Sequence, residues 1–146
     1  MDRPDALGPM LGCCSHLARE RMDARLAGCD VTPAQARVLM YVHRSGGQAP
    51  QHEVTRFLRV KPSTANGILD RMEEKGLLRR SVSNSDARRR LLVLTDKGAR
   101  QQERFHRAFW ETEEAAQRGL SAQERADLLS LLGRVIQNLE EDRTLC

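Results

Sequence analysis

The sequence predicts a mainly α fold carrying one small β-hairpin wing. Three observations lead there. Apolar residues recur at helical spacing along most of the 146 residues, and only short turn signals interrupt them. One stretch alone, 77–94, shows two extended runs around a polar turn. Aromatic residues are 3% of the chain, so Leu, Val, Ile, Met and Ala must fill the core.

The elements follow in order. Residues 6–28 read as a helix with Met10, Leu17, Met22 and Leu26 among its apolar positions, and Gly28, Asp30 and Thr32 mark a break. Thr32-Pro33-Ala34-Gln35 is a helix start: Thr as cap, Pro in the first turn, Gln three residues after the cap. That helix carries Val38, Leu39, Tyr41 and Val42 and ends near Ser45-Gly46-Gly47. A short helix is expected at about 51–58, where Val54, Phe57 and Leu58 share a face. Lys61-Pro62 opens another, with Ile68, Leu69 and Met72 as its inner stripe and Gly76 as its stop. Two short helices joined by a tight turn at Arg59-Val60-Lys61 make a helix-turn-helix pattern.

Leu77–Ser83 and Arg89–Leu94, on either side of Asn84-Ser85-Asp86, read as the hairpin. Thr95 caps a long helix over about 96–118 that bears Phe105, Phe109 and Trp110. Ser121-Ala122-Gln123-Glu124 is a capping box. It opens a final helix with Leu128, Leu132, Val135 and Leu139 at helical spacing.

The length suits one compact domain, or a small domain with appended helices, and can bury a core without staples. No run approaches 18 apolar residues, and the first residues lack the layout of a secretory signal, so the chain is expected to be cytoplasmic. Cys13, Cys14, Cys29 and Cys146 match no paired zinc spacing and are expected to be free thiols. The four histidines are scattered, and no P-loop or glycine-rich nucleotide fingerprint occurs. Neither an enzyme, a cofactor nor a metal is expected.

Charge is localised. Residues 51–100 carry 12 Lys+Arg against 6 Asp+Glu, whereas residues 1–50 carry 6 against 5 and residues 101–146 carry 6 against 9. A basic middle between near-neutral and acidic ends points to an anionic partner there, with nucleic acid the first candidate. A helix-turn-helix followed by a basic hairpin is the winged form of the motif. Its second helix suits the major groove, with Ser63, Thr64 and Asn66 near the base edges, Lys61 in reach of a phosphate and Arg71 in reach of a phosphate or a base. The hairpin reaches an adjacent minor groove, whose negative potential favours arginine. Arg88, Arg89 and Arg90 are the candidates, with Leu91–Leu94 anchoring them on the core. Strand alternation gives Arg89 a different face from Arg88 and Arg90. Asp86, two residues before Arg88, is expected to support the wing by pairing with that guanidinium.

Three motifs in order carry a resemblance to the MarR family of bacterial transcription regulators. Asp86-x-Arg88, then Leu94-Thr95 and Gly98, resembles the family's wing signature. LDRMEEKGL at 69–77 resembles the end of its recognition helix, and TPAQARVL at 32–39 the start of its second helix. The resemblance implies a homodimer whose N- and C-terminal helices interlock, each subunit offering one winged helix-turn-helix to a pseudo-palindromic operator. It divides the chain into an N-terminal dimerisation helix (1–31), a DNA-binding domain (32–98) and C-terminal dimerisation helices (99–146).

The chain departs from the family pattern twice. Lys61 stands where a capping Ser or Thr is frequent, and Gly67 stands mid-helix in place of a larger polar residue, at a cost of about 1 kcal/mol in helix propensity. The resemblance further implies a repressor relieved by a phenolic or other aromatic ligand, for which His16, Arg19, Arg37, Tyr41, His43 and His106 are the candidate lining. Two alternatives stand beside it. One is a regulator of the same fold that senses oxidation at Cys13 and Cys14; the other is a winged-helix module that binds protein.

Overall fold

The computed structural model describes residues 6–142; Cys146 lies outside them. The chain forms α1 (Leu7–Arg25), α2 (Pro33–Arg44), β1 (Gln48–Pro50), α3 (Gln51–Leu58), α4 (Pro62–Glu74), β2 (Leu78–Val82), β3 (Arg90–Leu94), α5 (Asp96–Gln117) and α6 (Ala122–Asp142). Two compact units result, Met1–Trp110 and Glu111–Cys146. The mainly helical class with a β wing is the one the sequence predicts.

Helix starts follow local chemistry. Thr32 and Gln35 form a reciprocal capping box on α2, and Ser121 and Glu124 form one on α6, with bonds of 2.7 to 3.2 Å. Thr95 Oγ1 accepts the Gly98 N–H at 3.0 Å at the start of α5. Gly76 (φ +72°) ends α4, where its own N–H bonds the Glu73 carbonyl and that of Leu77 bonds the Met72 carbonyl.

The core of the first unit gathers Val38, Leu39 and Val42 of α2, Val54 and Leu58 of α3, Ala65, Leu69 and Met72 of α4, and Leu77, Leu78 and Leu92 around the sheet. By contrast, neither α1 nor α6 buries a single described residue.

The sheet has three antiparallel strands in the order β1-β3-β2. The hairpin of β2 and β3 is the expected one, with Leu78 opposite Leu94 and Val82 opposite Arg90. The strand β1 is an addition: Gln48, Ala49 and Pro50 pair with Val93, Leu92 and Leu91. Three residues ending in proline are too short for an alternating pattern to show. Only Ala49 is buried among them, and the strand exists because β3 offers it an edge.

The Leu94-Thr95-x2-Gly98 motif has a steric cause. The Thr95 N–H bonds the Leu77 carbonyl, and a Cβ on Gly98 would collide with that same carbonyl and with Leu94 Cδ1. Lys97 Nζ adds a bond of 2.6 Å to the Lys75 carbonyl, and the Thr95 hydroxyl bonds that of Gly76. The end of α4, both roots of the wing and the start of α5 therefore share one junction.

Candidate nucleic-acid interface

Two helices and the wing build the basic face. The turn between α3 and α4 is made by Arg59 in the left-handed region (φ 54°, ψ 37°). Lys61 precedes α4 without a side-chain cap, so Pro62, whose ring presets the helical φ, starts the helix instead. Burial of Ala65, Leu69 and Met72 turns the opposite side of α4 outward, which leaves Lys61, Ser63, Thr64 and Asn66 exposed. Gly67 leaves room above the helix, and Arg71 folds back into it: its Nε donates to the Gly67 carbonyl at 3.0 Å.

The wing turn differs from the expected pairing. Asp86 Oδ1 accepts from the backbone N–H of Arg88 at 2.9 Å, and the Asp86 carbonyl accepts from Arg89 N–H at 3.0 Å. The carboxylate thus closes the turn through the backbone, as a short acidic side chain does in an Asx-turn, and the Arg88 guanidinium is not its partner. β3 begins only at Arg90, so Arg88 and Arg89 lie in the turn, where strand alternation does not apply. Instead of facing apart, Arg88, Arg89 and Arg90 line one cleft of about 420 Å³ with Gln51, His52, Thr55, Pro62 and Asn66.

Sequence reasoning missed Arg80 and Gln51. The Arg80 side chain is 15% exposed, and its Nη1 meets Asp70 Oδ1 at 2.6 Å and Glu73 Oε1 at 3.4 Å. Glu73 also accepts the Arg80 backbone N–H at 3.0 Å. Gln51 Oε1 accepts from Arg80 Nε at 3.2 Å, and Gln51 Nε2 donates to Asn66 Oδ1 at 2.9 Å. A signal was present: Leu78 and Arg80 share a face of β2 by alternation, and a cation beside a buried leucine needs acids such as Asp70 and Glu73, three apart on one helix.

The candidate ligand residues divide between two clefts. Arg37 and Tyr41 of α2 meet Glu53, Arg56, Phe57 and Arg59 around a cleft of about 600 Å³. There the Tyr41 and Phe57 rings pack at a tilt of 42° with centroids 4.8 Å apart, and the Arg37 guanidinium lies 5.1 Å from the Phe57 ring centre. The Tyr41 hydroxyl donates to Glu53 Oε2 at 3.3 Å. Desolvation, then the Glu53 charge and that hydrogen bond, push the phenol above its ordinary 10.0, with Arg56 opposing. His43 and His106 line a second cleft, of about 550 Å³, with Met40, Arg44, Arg100 and Glu103 among its other walls. His16 and Arg19 are exposed on α1 and line neither.

Cys13 and Cys14 are exposed on α1, while the half-buried Cys29 donates its thiol to Gln101 Oε1 at 2.8 Å. Among the described residues no cluster of three His, Cys, Asp or Glu forms a metal site, and no helix is long and apolar enough to cross a membrane.

A helix-turn-helix braced by a basic hairpin defines a winged-helix DNA-binding protein. Comparison with known proteins agrees. Residues 30–89 match the MarR family. A probable transcriptional regulator from Pseudomonas aeruginosa is 30% identical, with TM-score 0.66 over 92% of this chain and 99% of that one. A cysteine-to-serine mutant of MarR from E. coli, solved in complex with operator DNA, is 28% identical, with TM-score 0.71 over 88% and 92% of the two chains. BpsR from Bordetella bronchiseptica, whose DNA binding is regulated by 6-hydroxynicotinic acid, shares the fold at 21% identity, with TM-score 0.71 over 92% and 96%. The chain belongs to the MarR family of transcription regulators.

Proposed function

We propose that the protein is a cytoplasmic homodimeric repressor that binds a pseudo-palindromic operator and releases it on taking up a small aromatic or phenolic anion. The observation that carries the reading is the cleft in which Arg88, Arg89 and Arg90 stand beside Asn66. Arginine only donates hydrogen bonds and stays charged, so three of them converging on one opening favour an anion over a neutral partner. In this reading α4 enters the major groove with Ser63, Thr64 and Asn66 toward base edges, and Lys61 and Arg71 serve phosphates. The wing arginines take the neighbouring minor groove. A protein-binding wing would need no such charge.

The exposed apolar side chains of the terminal helices support the dimer. Leu128, Leu129, Leu131, Ile136 and Leu139 of α6 are between 47% and 65% exposed, and Leu7, Met10 and Leu17 of α1 between 46% and 67%. Two-fold pairing of such faces sets two wings on half-sites about one helical turn apart. For the ligand, the cleft of Arg37, Tyr41 and Phe57 has the chemistry for an aromatic anion: two rings, and the guanidinium groups of Arg37, Arg56 and Arg59 against the single carboxylate of Glu53.

The test is an anisotropy titration against the intergenic DNA beside its own gene, with scrambled DNA as control, at two salt concentrations. Tight binding that prefers the genuine DNA and weakens steeply with salt is expected, as is release by phenolic acids. Arg88→Ala should weaken binding by about tenfold or more while the dimer persists. Unchanged affinity in that variant would remove the wing from the interface. Peroxide-driven release that is lost when Cys13 and Cys14 are both serine would instead favour a thiol signal, for which their exposure leaves access.

A further inference from the structure

Asn66 does not choose freely which end of its amide faces outward. The constraint starts at Arg80, whose guanidinium can donate hydrogen bonds but accept none. Because Arg80 Nε donates to Gln51 at 3.2 Å, the atom that receives it must be the Gln51 oxygen. The Gln51 amide nitrogen is thereby turned toward α4, where it donates at 2.9 Å, so the Asn66 atom that receives it must be Oδ1. Reversing either amide would set N–H against N–H. Arg80 cannot swing away to relax the chain, since Asp70 and Glu73 hold its Nη1 at 2.6 and 3.4 Å. What remains outward on Asn66 is Nδ2, whose N–H groups receive no acceptor from the described residues.

We propose that Arg80 and Gln51 are positioning residues that fix the polarity of Asn66, so that Asn66 reads its base as a hydrogen-bond donor. The inference rests on the reading of α4 as the base-contacting helix. Asparagine commonly grips adenine with both ends of its amide, oxygen to N6 and nitrogen to N7. Here the oxygen is engaged inside the protein, which disfavours that grip. The free NH2 instead matches an edge rich in acceptors: guanine, with O6 and N7 side by side, or thymine O4. Specificity at that base pair is thus set from β2, a strand that need not touch the base.

Selection of binding sites from a randomised duplex pool, using full-length protein, tests the relay. Wild type, Asn66→Ala, Gln51→Glu and Gln51→Leu are compared, with thermal unfolding of each as a check on the fold. In wild type one position per half-site should favour guanine or thymine, and Asn66→Ala should flatten that position. In Gln51→Glu the carboxylate still accepts from Arg80 but can only accept from Asn66, whose amide must turn over. Preference at the same position should then move by about tenfold toward a base offering an amino group, adenine or cytosine. Gln51→Leu frees the amide and should broaden the choice without reversing it. An adenine preference in wild type, an Asn66-dependent position unmoved in Gln51→Glu, or no position sensitive to Asn66→Ala would each overturn the relay. Recovery of no motif by wild type would overturn the DNA-binding reading itself, a separate result.

Discussion

Leu39, Leu69, Leu77 and Leu78 are at most 1% exposed, whereas Leu129 and Leu139 of α6 are 65% and 61% exposed. Both groups sit at the same helical or strand periodicity in the sequence. The first is buried among α2, α3, α4 and the sheet, whereas no described residue of α6 is buried. Periodicity therefore announces that a face must be buried without saying by what. Where four elements lie within a short stretch of chain the answer is internal. For the exposed face of α6, the proposed second copy supplies the answer.

That contrast is sharpest in a matched pair of variants. Leu69→Ala removes a fully buried side chain and should destabilise the fold by about 2–5 kcal/mol in denaturant titrations, at any protein concentration. Leu129→Asp should leave the core transition near its wild-type position. It should raise the dimer dissociation constant by about tenfold or more, read by sedimentation across a dilution series. Equal loss of core stability in both variants would erase the distinction between the two regions.

Smaller effects sharpen the picture inside the winged unit. Gly67→Ala should raise stability by about 0.5–1 kcal/mol, because a mid-helix glycine carries excess chain entropy. Its new Cβ meets only the flexible tip of Arg71, at 3.4 Å. The smallest effect is in the α2–α3 cleft. Tyr41 is the chain's one tyrosine, so absorbance at alkaline pH titrates it alone, and the midpoint should lie above 10.0. Glu53→Gln should bring it part of the way back, desolvation being the larger cause. The sign for stability follows. A phenol held protonated more tightly in the folded chain contributes stability that is present below 10.0 and lost as pH rises through the raised value.

Much of the fold was legible because its signals are local. Thr32 with Gln35, Ser121 with Glu124, and Thr95 with Gly98 each announce a helix start within four residues, and each forms the expected bonds. The strand β1 was not legible, since its pairing depends on β3, some forty residues later. The same limit hid Arg80. Its role depends on Asp70, Glu73 and Gln51, which converge only once β2 folds back along α4. The arginine run 88–90 stands out by composition, but its place around one cleft goes with a turn that Asp86 holds by the backbone, which no spacing rule foretells. The ligand candidates came from what the resemblance implies and are scattered from residue 16 to 106, and they fall into two clefts and an open helix surface.

The junction at Gly98 has a mechanical consequence. The Leu77 carbonyl, the Thr95 amide and the backbone of Gly98 meet so closely that no side chain fits between them, and Lys97 bridges to Lys75, the C-cap of α4. A linkage so short has no slack. Helix α4 and the hairpin beside it are, at this end, one lever with the first turn of α5 as its handle. A displacement of that handle would carry α4 and the wing together, as one piece.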